Sequence, residues 1–213
     1  MAATPSLLIA GLLVGVAFLA GIGCTTLGPG GIFTTVALYS LTAVSSSTVA
    51  GTAQLTFVGV GLLGSVAYLR SGELAIGDNA RMAGVLSVAS ILGALSGAAI
   101  NAHVSRDLFG LLLGGFAAVT GLIIVYRERS TTLPEFDVPL TTVPGLALLA
   151  GIGLTLGVLS SLLGVGGPVI AVPVLVMLGV PMLAALAIAQ VQSIFIATFS
   201  TIGYALNGAV SVE

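Results

Sequence analysis

The feature that most constrains this chain is where its charges are not. The first charged residue is Arg70, and residues 138–212 carry none. A fold in water cannot solvate a surface built from two such runs. Only 6% of the residues are charged, against roughly 25% in an ordinary soluble domain. A helix crosses the ~30 Å hydrocarbon layer in about 20 residues, so each run has length for about three passes. Backbone groups in lipid must be satisfied internally, and a barrel would need alternating polar and apolar residues. Runs such as Leu111-Leu112-Leu113 and Leu122-Ile123-Ile124-Val125 do not alternate. The expected fold class is therefore an all-α integral membrane protein, a polytopic helix bundle lying in a lipid bilayer.

Several function classes fall away on composition. The net charge is -2 and all five basic residues are Arg, which leaves no basic patch for nucleic acid. Cys24 is alone, so an internal disulfide, a redox pair and a cysteine metal cage are excluded. No paired carboxylates, Ser/His/Asp set or metal-ligand spacing lies within the spans, so the chain is read as no enzyme, with no catalytic residue, metal or cofactor. The N-terminus, Met1 to Ser6, has no basic segment, and the first apolar stretch reads as a retained span.

Charges, prolines and small polar clusters divide the chain into apolar segments at 6–27, 31–44, 48–69, 82–100, 108–126, 143–163, 168–181 and 184–206. Six are long enough to span. Segments 31–44 and 168–181 reach only about 20 Å at 1.5 Å per residue, and read as half-helices or short, steeply packed spans. The hydrophilic stretch 127–142 is the linker between a first repeat, 1–126, and a second, 143–213. Arg70, Arg81, Arg127 and Arg129 fall on one face and Arg106 on the other. The positive-inside tendency places the linker in the cytoplasm, in a cell-membrane protein.

A duplication shows without gaps at an offset of 136. Gly21 falls on Gly157, Gly28 on Gly164, Gly30 on Gly166, Gly31 on Gly167, Gln54 on Gln190, Tyr68 on Tyr204 and Gly72 on Gly208. Glycine matches are cheap in such a chain. Gln and Tyr are scarce, and their coincidence in one register carries the reading of two homologous repeats, an arrangement common in secondary transporters. Gly93 and Gly97, Gly110 and Gly114, and Gly153 and Gly157 are pairs of small residues four apart, which let helices approach closely.

The sharpest local motifs are Gly28-Pro29-Gly30-Gly31 and Gly164-Val165-Gly166-Gly167-Pro168, each where a long apolar helix meets a short one. Glycine admits backbone conformations closed to other residues, and Pro suits the first turn of a new helix. A helix starting inside the membrane presents free N–H groups and the positive end of its dipole, and can hold an anion without a buried cation. The expected substrate-binding residues are Thr26, Gly28, Gly30, Gly31, Gln54, Ser161, Gly164, Gly166, Gly167 and Gln190. Thr25, Thr34, Thr35, Ser160, Gln192 and Ser193 are further donors close by. Tyr68 and Tyr204, near span ends, read as interfacial anchors, and His103 as a solvated loop residue.

The first glycine break, the helix containing Ala50-Gly51-Thr52-Ala53-Gln54, the exit Tyr68-Leu69-Arg70-Ser71-Gly72 and the second copy of the break resemble the sulfite exporter TauE/SafE family over nearly the whole chain. The resemblance implies a cytoplasmic-membrane permease of two related halves, carrying small sulfur-containing anions such as sulfite or an organosulfonate. Family members usually continue for two more helices, so the second repeat is expected to lack counterparts of spans 82–100 and 108–126, with the wall completed by a partner or by further chain. No ATP-binding segment is recognised, so transport would draw on an ion or substrate gradient. The competing readings are a non-transporting membrane scaffold or assembly subunit, and a channel for a small neutral solute. Substrate, direction, coupling ion and homo-oligomeric state are open at this level.

Overall fold

The structure is a computed structural model that describes residues 7–74, 77–129 and 139–207, with 126–129 described as backbone only. Its helices are α1 (Leu7–Thr26), α2 (Ile32–Leu41), α3 (Ser46–Arg70), α4 (Asp78–Asn101), α5 (Arg106–Arg129), α6 (Val143–Leu163), α7 (Pro168–Met177) and α8 (Met182–Leu206). No strand occurs among the described residues. Six of the helices, all but α2 and α7, are long and apolar enough to cross a membrane. The protein is an all-helical, multi-pass membrane bundle.

The short segments are shorter than their apolar runs. Each is a helix of 10 residues, about 15 Å long. Thr42 leaves the helix in an extended conformation and its hydroxyl turns back to the Leu38 carbonyl at 2.5 Å, ending α2. Gly179, at φ 85°, and Pro181 end α7, because a left-handed residue followed by proline cannot continue a helix. The expected linker 127–142 is entered by α5, which runs on through Arg129; residues 130–138 of it lie outside the described residues, as does Gly208 of the last repeat pair.

Packing centres on α8, which runs against α3 on one side and α4 on the other, while α4 also lies along α6. The small-residue pairs explain the last contact. Gly93 and Gly157 meet face to face: a methyl on Gly157 would lie 2.5 Å from the Ser90 carbonyl oxygen, and one on Gly93 would collide with the Leu154 carbonyl. Helices in lipid have no hydrophobic drive to associate, so this close approach is what supplies their packing energy. Gly110 is covered by the Tyr39 side chain, whereas Gly114 has nothing within 4 Å. The third pair therefore packs at one end only.

Hydrogen bonds then lock the packed helices. Ser90 Oγ donates to the Gly153 carbonyl at 2.9 Å, Gln192 Nε2 donates to Ser90 Oγ at 2.7 Å, and Asn101 Nδ2 donates to the Leu162 carbonyl at 2.7 Å. At the other side of the bundle Arg106 opens α5 and closes α2. Its guanidinium donates to the carbonyls of Tyr39 at 2.5 Å and Thr42 at 2.6 Å, and to that of Val44, while lying 4.4 Å over the Tyr39 ring. A planar cation on the carbonyl end of a helix satisfies unpaired acceptors and complements the dipole. Arg106→Gln should destabilise the protein by about 2 kcal/mol, read as a lowered midpoint of thermal unfolding in detergent. Arg106→Lys should recover only part of it, since one ammonium cannot reach the three carbonyls together.

Candidate functional site

Each glycine motif ends one helix and starts another, by different local means. At the first, the Leu27 and Gly28 amides both donate to the Gly23 carbonyl at 3.0 Å, and Gly28 turns the chain at φ 97°. Pro29–Gly31 then forms one 3-10 turn before α2. That turn folds back on α1 so closely that a methyl on Gly30 would lie 2.5 Å from the Cys24 nitrogen. At the second, Gly164 takes a left-handed conformation at φ 64°, with Val165 N–H donating to the Ser160 carbonyl at 3.0 Å. This is the glycine-closed helix end in which the last carbonyls are recaptured. Pro168 then opens α7, where its missing N–H costs nothing.

The two breaks meet. A methyl on Gly31 would sit 3.3 Å from the Gly166 nitrogen, and one on Gly28 would sit 3.3 Å from the Pro168 carbonyl oxygen. Thr35 ties them by donating its hydroxyl to the Gly164 carbonyl. Phe57, at 1% exposure, closes the junction: its ring is 3.0 Å from a methyl built on Gly31 and 3.2 Å from one built on Gly166. The Gly166 and Gly167 amides donate no hydrogen bond to an acceptor among the described residues. They stand at the N-terminus of α7, where the helix dipole is positive.

The glutamines are buried and reciprocal. Gln54 on α3 donates Nε2 to the Ser160 carbonyl on α6 at 2.6 Å, and Gln190 on α8 donates Nε2 to the Cys24 carbonyl on α1 at 2.9 Å. Donor and acceptor positions in the two bonds differ by 136 in each case, and each bond crosses between the first and second halves of the chain. The Oε1 atoms of both glutamines are buried and accept no hydrogen bond. Each carboxamide thus spends one N–H on a helix-end carbonyl and leaves its oxygen unpaired beside the breaks.

A cavity of about 520 Å³ adjoins the junction, lined by Leu27 and Pro29 of the first break, Val172 and Pro173 of α7, Ile123 and Ile124 of α5, and Met182. Its walls are mostly apolar. Among the described residues no group of His, Cys, Asp and Glu could hold a metal ion.

Compared with known families, residues 12–213 match the one described as Sulfite exporter TauE/SafE. The chain belongs to this family. No curated protein and no solved structure matches it. TauE/SafE proteins are membrane transporters of the sulfite and anion exporter type, not enzymes, and this member is a multi-pass protein of the cell membrane.

Within this TauE/SafE chain the residues expected from sequence separate into two groups. Gly28, Gly30, Gly31, Gly164, Gly166, Gly167, Gln54 and Gln190 are all buried at or beside the junction. Thr26 is exposed, and its hydroxyl donates to the Ile22 carbonyl of its own helix at 2.8 Å. Ser161 is buried but donates to the Ala94 carbonyl of α4 at 2.6 Å, which makes it a packing contact. Gln192 likewise points to α4. His103 is exposed, as expected of a loop residue.

Tyr204 departs from the interfacial reading. It is fully buried and donates its hydroxyl to the Ser161 carbonyl at 2.7 Å, as Tyr68 donates to the Thr25 carbonyl at 2.8 Å. Both hold the carbonyls of the last helical turn before a glycine break. Their separation of 136 residues, the same as that of the two glutamines, was the available signal. Phe57 and Thr35 could not have been found this way, because the positions 136 further on are Ser193 and Ala171.

Proposed function

We propose that this TauE/SafE chain is a permease for small anions, sulfur-containing in class, which pass at the junction of the two breaks. The observation that carries the reading is the meeting of Gly31 with Gly166, beside two buried amides, of Gly166 and Gly167, that donate to no acceptor among the described residues. An anion at that point would be held by N–H groups and a helix dipole, with no buried cation to hinder release. The described conformation is then the closed one, with Phe57 filling the junction and the apolar cavity at Pro29 and Pro173 as its vestibule.

The chain is further proposed to be a duplication whose halves rock about this junction. Helices 32–41 and 46–70 recur as 168–177 and 182–206 at the offset of 136, which supports the reading, as do the paired positive-φ glycines Gly28 and Gly164 and the reciprocal glutamine bonds. Alternating access by rocking of related halves is the general behaviour of such folds. The proposed orientation puts Arg70 and Arg81 in the cytoplasm and Arg106 on the opposite face.

Flux into liposomes carrying the purified protein tests the proposal, with sulfite, an organosulfonate, chloride and a neutral solute compared. Saturable flux of the sulfur oxyanions above chloride is expected, and flux of the neutral solute alone would rule the permease out. Gly166→Val, whose first side-chain carbon would already lie 3.2 Å from the Phe57 ring, should lower sulfite flux by about tenfold or more without loss of membrane insertion.

A further inference from the structure

The two breaks follow one plan but are not finished alike. Gly31 and Gly167 stand 136 residues apart, and the residues that pack on them, Phe57 of α3 and Ser193 of α8, are separated by the same 136. At the first break a methyl on Gly31 would lie 3.0 Å from the Phe57 ring. The Gly31 amide is also within hydrogen-bonding reach of the Cys24 sulfur, and Gly30 is pressed against the Cys24 backbone. That helix start is therefore covered by an aromatic ring and by α1.

At Gly167 the neighbour is a hydroxymethyl group instead of a ring. A methyl there would lie 3.2 and 3.4 Å from the Ser193 Cα and Cβ. Ser193 is 1% exposed, and its hydroxyl makes no hydrogen bond to any described residue, an arrangement that costs free energy unless something else pairs with it. The hydroxyls of Thr25, Thr26 and Thr201 turn back to carbonyls of their own helices, the usual outcome for such residues; that of Ser193 does not. The unpaired hydroxyls of Ser65, Ser87 and Ser200 are wholly enclosed, which that of Ser193 is not. Beside it stand the Gly166 and Gly167 amides, which donate to no acceptor among the described residues. Three unpaired donors from two elements thus gather at the positive end of α7.

We propose that the paired breaks form one anion site, placed at the second break, in which the Ser193 hydroxyl is the side-chain donor beside the Gly166 and Gly167 amides. Three donors match an oxyanion head of three oxygens, as in sulfite or a sulfonate. A hydrogen bond to a charged oxygen is roughly twice as strong as one between neutral groups, so the single hydroxyl weighs on affinity. Phe57 forms the opposite wall, since its ring reaches Gly166 as well as Gly31. The inference rests on the proposed anion permease and adds where the ion sits and which side chain holds it.

Calorimetric titration of the purified protein with sulfite and sulfite flux in liposomes test it together. The parent is expected to bind one sulfite per chain. Ser193→Ala should raise both the dissociation constant and KM about tenfold and change the maximal rate by less than about twofold, the loss of one donor to a charged ligand. Its unfolding midpoint without sulfite should match the parent's, because the hydroxyl holds no other group in the protein. Ser193→Thr, which keeps the hydroxyl, should stay within about threefold of the parent KM. Two sulfites per chain, an unchanged KM in Ser193→Ala, an equal rise of KM in Ser193→Thr, or a fall confined to the maximal rate would each overturn the inference and leave the permease standing. A parent that neither binds sulfite nor carries any anion would overturn the permease and this site with it.

Discussion

Gly164→Ala should leave little folded protein in the membrane, although the change adds one methyl group. The added carbon would lie 2.5 Å from the Ala50 Cα of α3, and the residue would have to keep φ near 64°. The left-handed conformation disfavours any L side chain by about 1–2 kcal/mol, and overlap with backbone cannot be relieved by a rotamer change, adding about 1–3 kcal/mol. Moving α6 away would in turn release the Gln54 to Ser160 and Thr35 to Gly164 bonds, so the loss spreads through the junction. The expected drop in stability is about 3 kcal/mol or more, measured by reversible unfolding in mixed micelles. Gly11→Ala provides the comparison: nothing lies within 4 Å of its position, and alanine favours a helix over glycine by about 1 kcal/mol. Equal stability of the two variants would mean that α6 and α3 do not touch as described.

The second large effect is expected at Phe57. Its ring stands between the two breaks and touches both. In the proposed mechanism Phe57→Ala removes the plug of the closed junction, so the barrier to passage should fall even if the protein is less stable. Sulfite flux in liposomes should rise several-fold and lose part of its saturation, because an unplugged junction no longer requires the halves to rock for each ion. Phe57→Leu, which keeps most of the volume, should stay near the parent rate. Reduced flux in Phe57→Ala, with the folded fraction unchanged by size-exclusion chromatography, would show that the ring aids transport and does not block it. Together with the glycine substitutions this separates the backbone amides, which hold the anion in the proposed mechanism, from the side chain that gates them.

The glutamines show where residue identity and residue role part company. Gln54 and Gln190 were recognisable as exceptional because an amide in a charge-free span is expensive to bury without partners. Their likeness in register marked them as a pair. Which of their atoms would be free could not be read, since that depends on a carbonyl lying across the bundle. The structure ties each N–H group to the last helical turn of the opposite half, so the glutamines fasten the helix ends that frame the breaks. The same holds for Ser161 and Thr25, 136 residues apart: one bonds to a neighbouring helix and the other to its own.

Sequence alone determined the membrane environment, the helical class, the six spans and the two interruptions. Charge, hydropathy, and the backbone freedom of Gly and Pro act within a few residues, and the lipid allows few ways to satisfy a backbone. Tertiary structure alone decided that the breaks touch, that Phe57 and Thr35 join them, and that Tyr204 is buried. Those outcomes depend on which surfaces meet across 100 residues or more of chain, as in the bond from Thr35 to Gly164, and no local preference specifies such a meeting.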